Sequence, residues 1–292
     1  MAPMVVLITG CSSGMGLAEA VYLATTSKHD FKVYATVIDL DQREHLERAA
    51  GDSLNKKLFI RKLDVTKEDT ITSVVDEIVR ENKKLDVVVN NAGILDQIGF
   101  FFNKTRSSVD DARAMMEVNV LGPARVIHAV LPTMKKQKFG RIINTTSGTG
   151  IEATPFLEFY SASKFALEGL SESLAPVLRK GYNIRVSILE PSAVLTPLLE
   201  KAMNPDFKPD YVCGTWEEEA QELYKNYWEK DLKSALGVYI QPEEVAQILE
   251  EIILCDDPHL RYQTNATLKK TVAAKMVDPT GDSVFKVFQA FQ

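Results

Sequence analysis

The sequence Thr9-Gly-Cys-Ser-Ser-Gly-Met-Gly16 lies between the first apolar run and the first helix-forming stretch of this 292-residue chain. The run before it, Val5–Ile8, is short and continuous, which is typical of a buried parallel strand. Glycine permits the positive φ of a tight turn and lets backbone N–H groups approach a pyrophosphate at the positive end of a helix. The stretch therefore predicts a nucleotide-binding strand–turn–helix unit, although a plain glycine turn has the same pattern.

Strand and helix patterns continue to alternate up to about residue 190. We expect further strands over Lys32–Thr36, Leu58–Leu63, Leu85–Val89, Arg141–Thr146 and Asn183–Leu189. We expect helices over Met15–Thr25, Gln42–Ala50, Thr70–Arg80, Val109–Met134 and Phe159–Lys180. Such alternation indicates βαβ units around a parallel sheet that is covered on both faces. The predicted fold is α/β, a doubly wound, Rossmann-like parallel sheet whose ligands bind beyond the carboxyl ends of the strands.

The composition and the strand–helix pattern change after Pro191. Residues 197–240 are rich in Glu, Lys, Tyr and Trp and have no strand pattern, so we expect a helical insertion there. A helix from Pro242 to Ile253, a short strand at Arg261–Gln263 and a helical tail complete the prediction. No linker interrupts the pattern, and the simplest account is a single domain over residues 1–292.

Composition excludes several classes of protein. The net charge of −6 argues against a nucleic-acid partner, and no apolar run reaches the roughly 18 residues of a membrane span. The N-terminal sequence lacks the features of a signal peptide, and three scattered cysteines do not make a disulfide framework. The four histidines are isolated, so no metal site is expected. We therefore expect a cytoplasmic protein.

The spacing of Tyr160 and Lys164 suits acid–base catalysis. Four residues apart on a predicted helix, they lie on one face. A tyrosine with a pKa of about 10 is a poor base at neutral pH. A nearby ammonium favours the phenolate, so we expect Lys164 to move the Tyr160 pKa towards the working range. Ser147 ends the preceding strand, and its hydroxyl can reach the phenol. Taken alone, the Tyr/Lys pair also fits an ordinary solvated helix face.

An ordered set of motifs resembles the short-chain dehydrogenase/reductase family. The glycine turn is followed by Asn90-Asn-Ala-Gly93 after the fourth strand, by Asn119 in the long helix, and by Ser147 and Tyr160-Ser-Ala-Ser-Lys164. The resemblance implies hydride transfer, with Tyr160 as acid or base, Ser147 bonding the substrate oxygen, Lys164 holding the ribose and Asn119 supporting a proton-relaying water. The implied catalytic residues are Asn119, Ser147, Tyr160 and Lys164. The implied cofactor-binding residues are Gly10, Ser12, Ser13, Gly14, Met15, Gly16, Asp64, Val65, Asn91, Gly93, Tyr160, Lys164 and Thr196.

The resemblance leaves the choice of cofactor open. NADP enzymes of the family tend to place a basic residue just after the second strand, where this chain has Ile38. Asp39 follows, but relatives that use NADP share it. Ser12 could hydrogen-bond a 2′-phosphate. We expect NADP or NAD, with a slight preference for NADP by family association.

The segments Tyr160–Ala175, Pro242-Glu-Glu-Val and Arg261-Tyr-Gln-Thr-Asn265 narrow the resemblance to the branch that holds hydroxysteroid and all-trans-retinol dehydrogenases. That branch implies lipid metabolism, with a retinoid or steroid alcohol, ketone or aldehyde bound under the insertion as a substrate lid, and a homodimer. The alternatives are a broad-specificity carbonyl reductase and a catalytically silent nucleotide sensor. Two further expectations concern individual residues. Glu152 is expected to be a solvated loop acid. The insertion's aromatic residues fit packing as well as a ligand box; they are Trp216, Tyr224, Tyr227 and Trp228.

Overall fold

Seven parallel strands form one sheet in the described part of the chain. The computed structural model describes residues 2–95, 99–102, 109–203, 216–232 and 239–277. The strands are β1 (Met4–Ile8), β2 (Phe31–Val37), β3 (Leu58–Lys62), β4 (Val87–Asn90), β5 (Gly140–Thr145), β6 (Ile184–Glu190) and β7 (Arg261–Gln263). Their order is β3-β2-β1-β4-β5-β6-β7, and each neighbouring pair is parallel. The predicted doubly wound fold is confirmed.

Ten α-helices are described between and after these strands. They are α1 (Gly14–Val21), α2 (Glu44–Ala50), α3 (Glu68–Asn82), α4 (Val109–Met116), α5 (Gly122–Gln137), α6 (Glu158–Tyr182), α7 (Pro197–Met203), α8 (Glu218–Tyr227), α9 (Pro242–Leu254) and α10 (Ala266–Met276). None of the helices in this part of the chain is long and apolar enough to cross a bilayer.

Both faces of the sheet are buried, which explains why the strands are apolar at consecutive positions. In β1, Val6 and Ile8 pack into one core cluster with α9, while Val5 and Leu7 pack into the other. Successive side chains of a strand point to opposite faces, so a strand covered by helices on both sides needs apolar residues at every position. This burial fixes the strand ends, and with them the edge that carries the site.

The prediction of one continuous helix over Val109–Met134 is wrong. The structure divides it into α4, a π-helical segment at Glu117–Leu121, and α5. Pro123 has no N–H, so the carbonyl of Asn119, four residues earlier, lacks its α-helical donor. A π segment of this kind is frequent at functional sites. The first predicted helix also changes, because α1 ends at Val21 and a π turn continues from Tyr22 to Thr26.

The predicted insertion over 197–240 begins and ends beside the sheet. Leu195 N–H donates to the Ile240 carbonyl at 2.9 Å, and Ile240 N–H donates to the Ala193 carbonyl at 3.0 Å. Between these points the described residues form α7, α8 and a π turn at Trp228–Leu232, as a helical insertion requires. Residues 204–215 and 233–238 lie outside the described residues, as does the tail after 277.

Candidate active site

A cavity of about 380 Å³ opens at the carboxyl edge of the sheet. It collects most of the predicted cofactor-binding residues. Those that line it are Gly10, Ser12, Ser13, Gly14, Met15, Asp64, Val65, Asn91, Gly93, Tyr160, Lys164 and Thr196. Three other predicted site residues, Gly16, Asn119 and Ser147, lie next to these without lining the cavity. Ile38, which the sequence placed after the second strand, also lines it. The sequence did not identify several further lining residues, which are Leu63, Thr66, Ala92, Ile94, Val118, Thr145, Thr146, Pro197 and Leu198.

The glycine turn brings backbone close to backbone. Gly10 has a φ of +73°, and a Cβ there would lie 2.8 Å from Ala92 Cα. At Gly16 a Cβ would overlap Asn91 Nδ2 and lie 2.5 Å from the Gly10 carbonyl oxygen. Side chains at these positions would collide with the residues that follow β4 and with the turn itself. The glycines therefore allow the turn to pack tightly at the start of α1, where backbone N–H groups favour an anion.

Asn91 fastens this turn to the end of β4. Its Nδ2 donates to the Thr9 carbonyl at 2.9 Å and to the Gly10 carbonyl at 3.0 Å. Its backbone N–H donates to Thr9 Oγ1 at 3.1 Å, and that of Ala92 does the same at 3.1 Å. The Asn-Asn-Ala-Gly motif thus holds the turn in shape through hydrogen bonds.

Tyr160 and Lys164 line the cavity, and Ser147 lies beside Tyr160. Ser147 and Tyr160 are joined by a side-chain hydrogen bond. Lys164 Nζ lies 5.6 Å from the centre of the Tyr160 ring and donates to the Thr145 carbonyl at 3.1 Å. The predicted spacing of Tyr160 and Lys164 on one helix face is confirmed by this geometry, since both lie in α6.

Burial dominates the titration of this pair. It raises the pKa of Tyr160 to about 12, and the Ser147 hydrogen bond opposes that rise. It also lowers the pKa of Lys164 to about 8. The expectation that Lys164 draws the Tyr160 pKa towards neutral is therefore wrong for the protein by itself, because desolvation of the phenolate outweighs the more distant ammonium.

Asn119 sits in the π segment and joins α5 to the cavity wall. Its Oδ1 accepts from Ile94 N–H at 2.9 Å, while its Nδ2 donates to the Ile94 carbonyl at 2.9 Å and to Ser163 Oγ at 3.0 Å. A Cβ on Gly93 would lie 3.3 Å from Asn119 Oδ1 and 3.5 Å from Lys164 Nζ. Asn119 and Lys164 therefore approach each other across a glycine. These hydrogen bonds hold the Asn119 side chain against Ile94 and Ser163.

Thr196 closes the cavity opposite the glycine turn. A Cβ on Gly14 would lie 3.3 Å from Thr196 Cβ, so the two residues face each other closely. Thr196 Oγ1 donates to the Val194 carbonyl at 3.1 Å and accepts from Leu199 N–H at 3.3 Å. The serine that follows Pro191 in this loop has its own ties, since Asn265 Nδ2 donates to Ser192 Oγ at 2.5 Å.

Asp64, Val65 and Ile38 also line the cavity. Asp64 Oδ1 accepts from Thr66 N–H at 2.9 Å and from Thr66 Oγ1 at 2.8 Å, which fixes the loop after β3. Ile38 is 53% exposed at the rim. Asp39 Oδ1 accepts from Asp41 N–H at 3.2 Å and so caps the short helical turn that follows β2.

Comparisons with known proteins agree with this arrangement. The family model described as short chain dehydrogenase matches residues 4–206. The chain belongs to the short-chain dehydrogenase family. It is 34% identical over 290 residues to retinol dehydrogenase 8 of Bos taurus, covering 96% of this chain and 87% of the relative. It is 35% identical over 283 residues to 17-beta-hydroxysteroid dehydrogenase type 1 of Mus musculus, covering 97% and 80%.

A solved structure extends the similarity to the fold. The short-chain dehydrogenase from Streptomyces avermitilis has a TM-score of 0.75 and 27% identity, with coverage of 98% of this chain and 94% of that one. Proteins of this family are named dehydrogenases and reductases, and solved structures of the fold hold NAD or NADP. The chain is accordingly an oxidoreductase of the short-chain dehydrogenase family.

Glu152 corrects one expectation about the site. It is 7% exposed rather than solvated, and its Oε1 has no hydrogen-bond partner among the described residues. Burial raises the pKa of the Glu152 carboxyl above its usual range. The loop between Ser147 and α6 folds inward and covers the side chain, which residue type alone did not indicate.

The aromatic residues of the insertion pack together. Phe156 stacks on Trp216 with ring centres 5.5 Å apart, and Trp216 lies 5.2 Å from Tyr224. Tyr227 and Trp228 belong to the same buried cluster. A Cβ on Gly99 would overlap the Trp216 ring. This aromatic cluster therefore joins the insertion to the loop before α6, as the packing alternative predicted.

A second buried polar group was missed from the sequence. Glu168, Glu190 and Arg261 form a charged cluster between α6, β6 and β7. Glu168 follows Lys164 by one helical turn, and this spacing could have identified it. No group of His, Cys, Asp and Glu suited to a metal ion occurs within the described ranges.

Proposed function

We propose that the chain transfers a hydride between a nicotinamide cofactor and a lipophilic alcohol, ketone or aldehyde of the retinoid or steroid class. The observation that carries the proposal is the proximity of Ser147 and Lys164 to Tyr160, at a cavity that the glycine turn also lines. An acid–base group thus lies beside a site able to hold a dinucleotide, which is what this reaction requires.

The residues of the cavity fit a dinucleotide. Gly10 and Gly16 allow the glycine turn to pack closely against Ala92 and Asn91, and the start of α1 presents backbone N–H groups that favour a pyrophosphate. The Lys164 ammonium, which is buried, supplies a donor for ribose hydroxyls. When bound, a nicotinamide supplies the hydride-transfer chemistry that no side chain provides.

The chain's own residues handle the proton and the substrate oxygen. In the reductive direction, Tyr160 donates its hydroxyl proton to the substrate oxygen, and Ser147 donates a hydrogen bond to the same oxygen. The high pKa of Tyr160 keeps the phenol protonated at neutral pH, as a proton donor must be. Lys164 stabilises the phenolate that remains. By family resemblance, Asn119 supports a water that relays a proton past Lys164.

The names of the relatives support a bulky apolar substrate. These relatives are named for retinol and for 17-beta-hydroxysteroids. Both names describe lipophilic alcohols, which supports a retinoid or steroid substrate and a role in lipid metabolism.

NADP is the cofactor that we propose, by family association. Ser12 lies in the cavity and can bond a 2′-phosphate, whereas Ile38 offers that phosphate no charge. We expect the KM for NADPH to be lower than that for NADH. The Ile38→Arg variant should increase the ratio further, because a guanidinium pairs with the 2′-phosphate. A lower KM for NADH in the unmodified chain would contradict the proposal.

We also propose a homodimer in the cytoplasm. Leu121 and Phe165, on the long helical segments, are 47% and 41% exposed, as apolar residues of an interface would be in a single chain. Cys11 and Cys255 are free, which suits a reducing compartment.

The proposed function is tested by NAD(P)H oxidation at 340 nm on mixing with all-trans-retinal, oestrone and a simple quinone. The proposal expects the retinoid or the steroid ketone to be reduced with the higher kcat/KM. Preference for the quinone would favour a broad-specificity carbonyl reductase instead. Tight cofactor binding without any turnover would favour a nucleotide sensor and would contradict the proposal.

A further inference from the structure

Glu168 is a buried carboxylate one helical turn beyond Lys164 in α6. It is 4% exposed, and both of its oxygens are engaged. Oε1 accepts from Thr146 Oγ1 at 2.6 Å, and Oε2 accepts from Arg261 Nη1. A buried carboxylate is costly unless it is paired, and these two partners offset that cost for Glu168.

The cluster around Glu168 holds more negative than positive charge. Arg261 Nη1 also bonds Glu190 Oε1 at 3.1 Å, and Glu190 is fully buried at the end of β6. Arg261 Nη2 reaches Glu172 Oε2 at 3.2 Å, but Glu172 is 65% exposed. Two buried carboxylates thus share one guanidinium. The excess negative charge lies in a low-dielectric region, where it acts at longer range than it would at the surface.

This cluster and Lys164 are held by the same short segment at the end of β5. The Thr145 carbonyl accepts from Lys164 Nζ at 3.1 Å, and the next residue, Thr146, bonds Glu168. Gly150, in the turn after Ser147, packs on both: a Cβ there would lie 3.2 Å from Lys164 Cβ and 3.2 Å from Glu168 Cγ. The carboxylate is therefore built into the wall behind the catalytic pair.

Electrostatics couples the two side chains. Burial lowers the pKa of Lys164 to about 8, and the Glu168 carboxylate opposes that fall. Burial raises the pKa of Glu168 to about 7, with Glu190 adding to the rise, while Thr146 and Arg261 counter it. The charged or titratable groups that face the pair are therefore Tyr160 and Glu172 on α6, Glu190 on β6 and Arg261 on β7. Between these two pKa values the carboxylate is ionised and the ammonium keeps its proton.

We propose that Glu168 is a positioning residue for the proposed reaction: its carboxylate favours the ammonium form of Lys164, and Thr146 and Arg261 favour the ionised form of Glu168 against the effect of its burial. The inference rests on the proposed function, since that function gives Lys164 its role. It makes a distinct claim, because a purely structural link between α6 and β7 would leave the titration of Lys164 unchanged.

The test is the pH dependence of the Kd for NADPH, which is measured through the fluorescence of the bound cofactor. We expect the Kd to rise where Lys164 loses its proton, and the Lys164→Met variant, which lacks the ammonium, to lack that inflection. In Glu168→Gln, which keeps the shape and the Thr146 hydrogen bond, the inflection should move to lower pH by about one unit. Glu172→Gln removes an exposed partner of Arg261 and should leave the inflection at the same pH.

An inflection at the same pH in Glu168→Gln and the unmodified chain would overturn the inference. If Glu168→Gln does not fold, Thr146→Val takes its place. It removes the hydrogen bond that favours the carboxylate, and its inflection should move in the same direction by a smaller amount. Turnover is measured separately: a shifted inflection without turnover would reject the proposed function alone. A chain that binds no nicotinamide cofactor would reject both.

Discussion

Glu19 places a carboxyl group in the core directly beneath the glycine turn. It is fully buried in α1, and neither of its oxygens has a hydrogen-bond partner among the described residues. Burial raises the pKa of Glu19 to about 8. The same carboxylate, together with burial, raises the pKa of the Cys11 thiol, which keeps that thiol protonated and unreactive. Glu19 is therefore neutral in the folded protein at moderate pH.

Glu19 makes the stability of the protein depend on pH. The folded state binds this proton more tightly than the unfolded chain, where the pKa is about 4.3. The contribution of Glu19 to the free energy of unfolding is therefore most favourable below that value and is lost as the pH rises towards 8. We expect Glu19→Met, which fills a similar volume without a charge, to be more stable by about 2–4 kcal/mol at pH 8. Thermal unfolding of both proteins between pH 5 and pH 9 measures the difference. A gap that stays constant with pH would contradict this explanation.

At the scale of elements, the glycine turn depends on the contact between α1 and the end of β4. Gly16→Ala places a methyl group on Asn91 Nδ2 and the Gly10 carbonyl, and should separate them. We expect a tenfold or larger rise in the Kd for the cofactor, since a loss of about 1.4 kcal/mol is sufficient. Isothermal titration with NADPH provides the measurement.

Gly169→Ala is the matched control. Gly169 is also helical, but it is exposed on α6, and a Cβ there meets nothing within 4 Å. The substitution should leave cofactor affinity unchanged and stabilise the fold by about 0.5–1 kcal/mol, because alanine favours a helix. Equal losses of affinity in the two variants would show that the close approach at Gly16 is not what matters.

The strands of the fold could be predicted from the sequence, but one feature of the helices could not. The strand spans were predictable because apolar runs such as Val5–Ile8 reflect burial on both faces. The π segment around Asn119 could not be predicted, since the apolar periodicity of a helix continues through a single π turn. Pro123 was the available signal, because it removes one helical donor.

Some residues of the candidate site could be predicted from the sequence, and others could not. Tyr160, Lys164 and the glycines could be found because spacing along one element decides their geometry. Glu168 and Glu190 could not be assigned a partner, since Arg261 reaches them from a distant strand. The burial of Glu152 depends on how a loop folds, and the sequence had favoured solvent exposure for it. Long-range contacts of this kind leave no periodic signature.

For the whole molecule, the proposed homodimer can be tested by a single charge. Phe165 is 41% exposed on α6. Phe165→Glu should convert a dimer into a monomer, because an interface core excludes unpaired charge. Sedimentation velocity measures the mass. Leu223→Glu, at a position on α8 that is 44% exposed and outside the proposed interface, should leave the dimer intact. A monomeric unmodified chain would contradict the proposal.

The most direct test of the account is the turnover of Tyr160→Phe. This variant keeps the ring that packs beside Lys164 and removes only the hydroxyl group that bonds Ser147. We predict that kcat for the reduction of the preferred carbonyl falls by at least about 10²-fold, the usual contribution of general acid catalysis, while the Kd for the cofactor stays within about twofold. Undiminished turnover in the phenylalanine variant would contradict the assignment of Tyr160 as the proton donor.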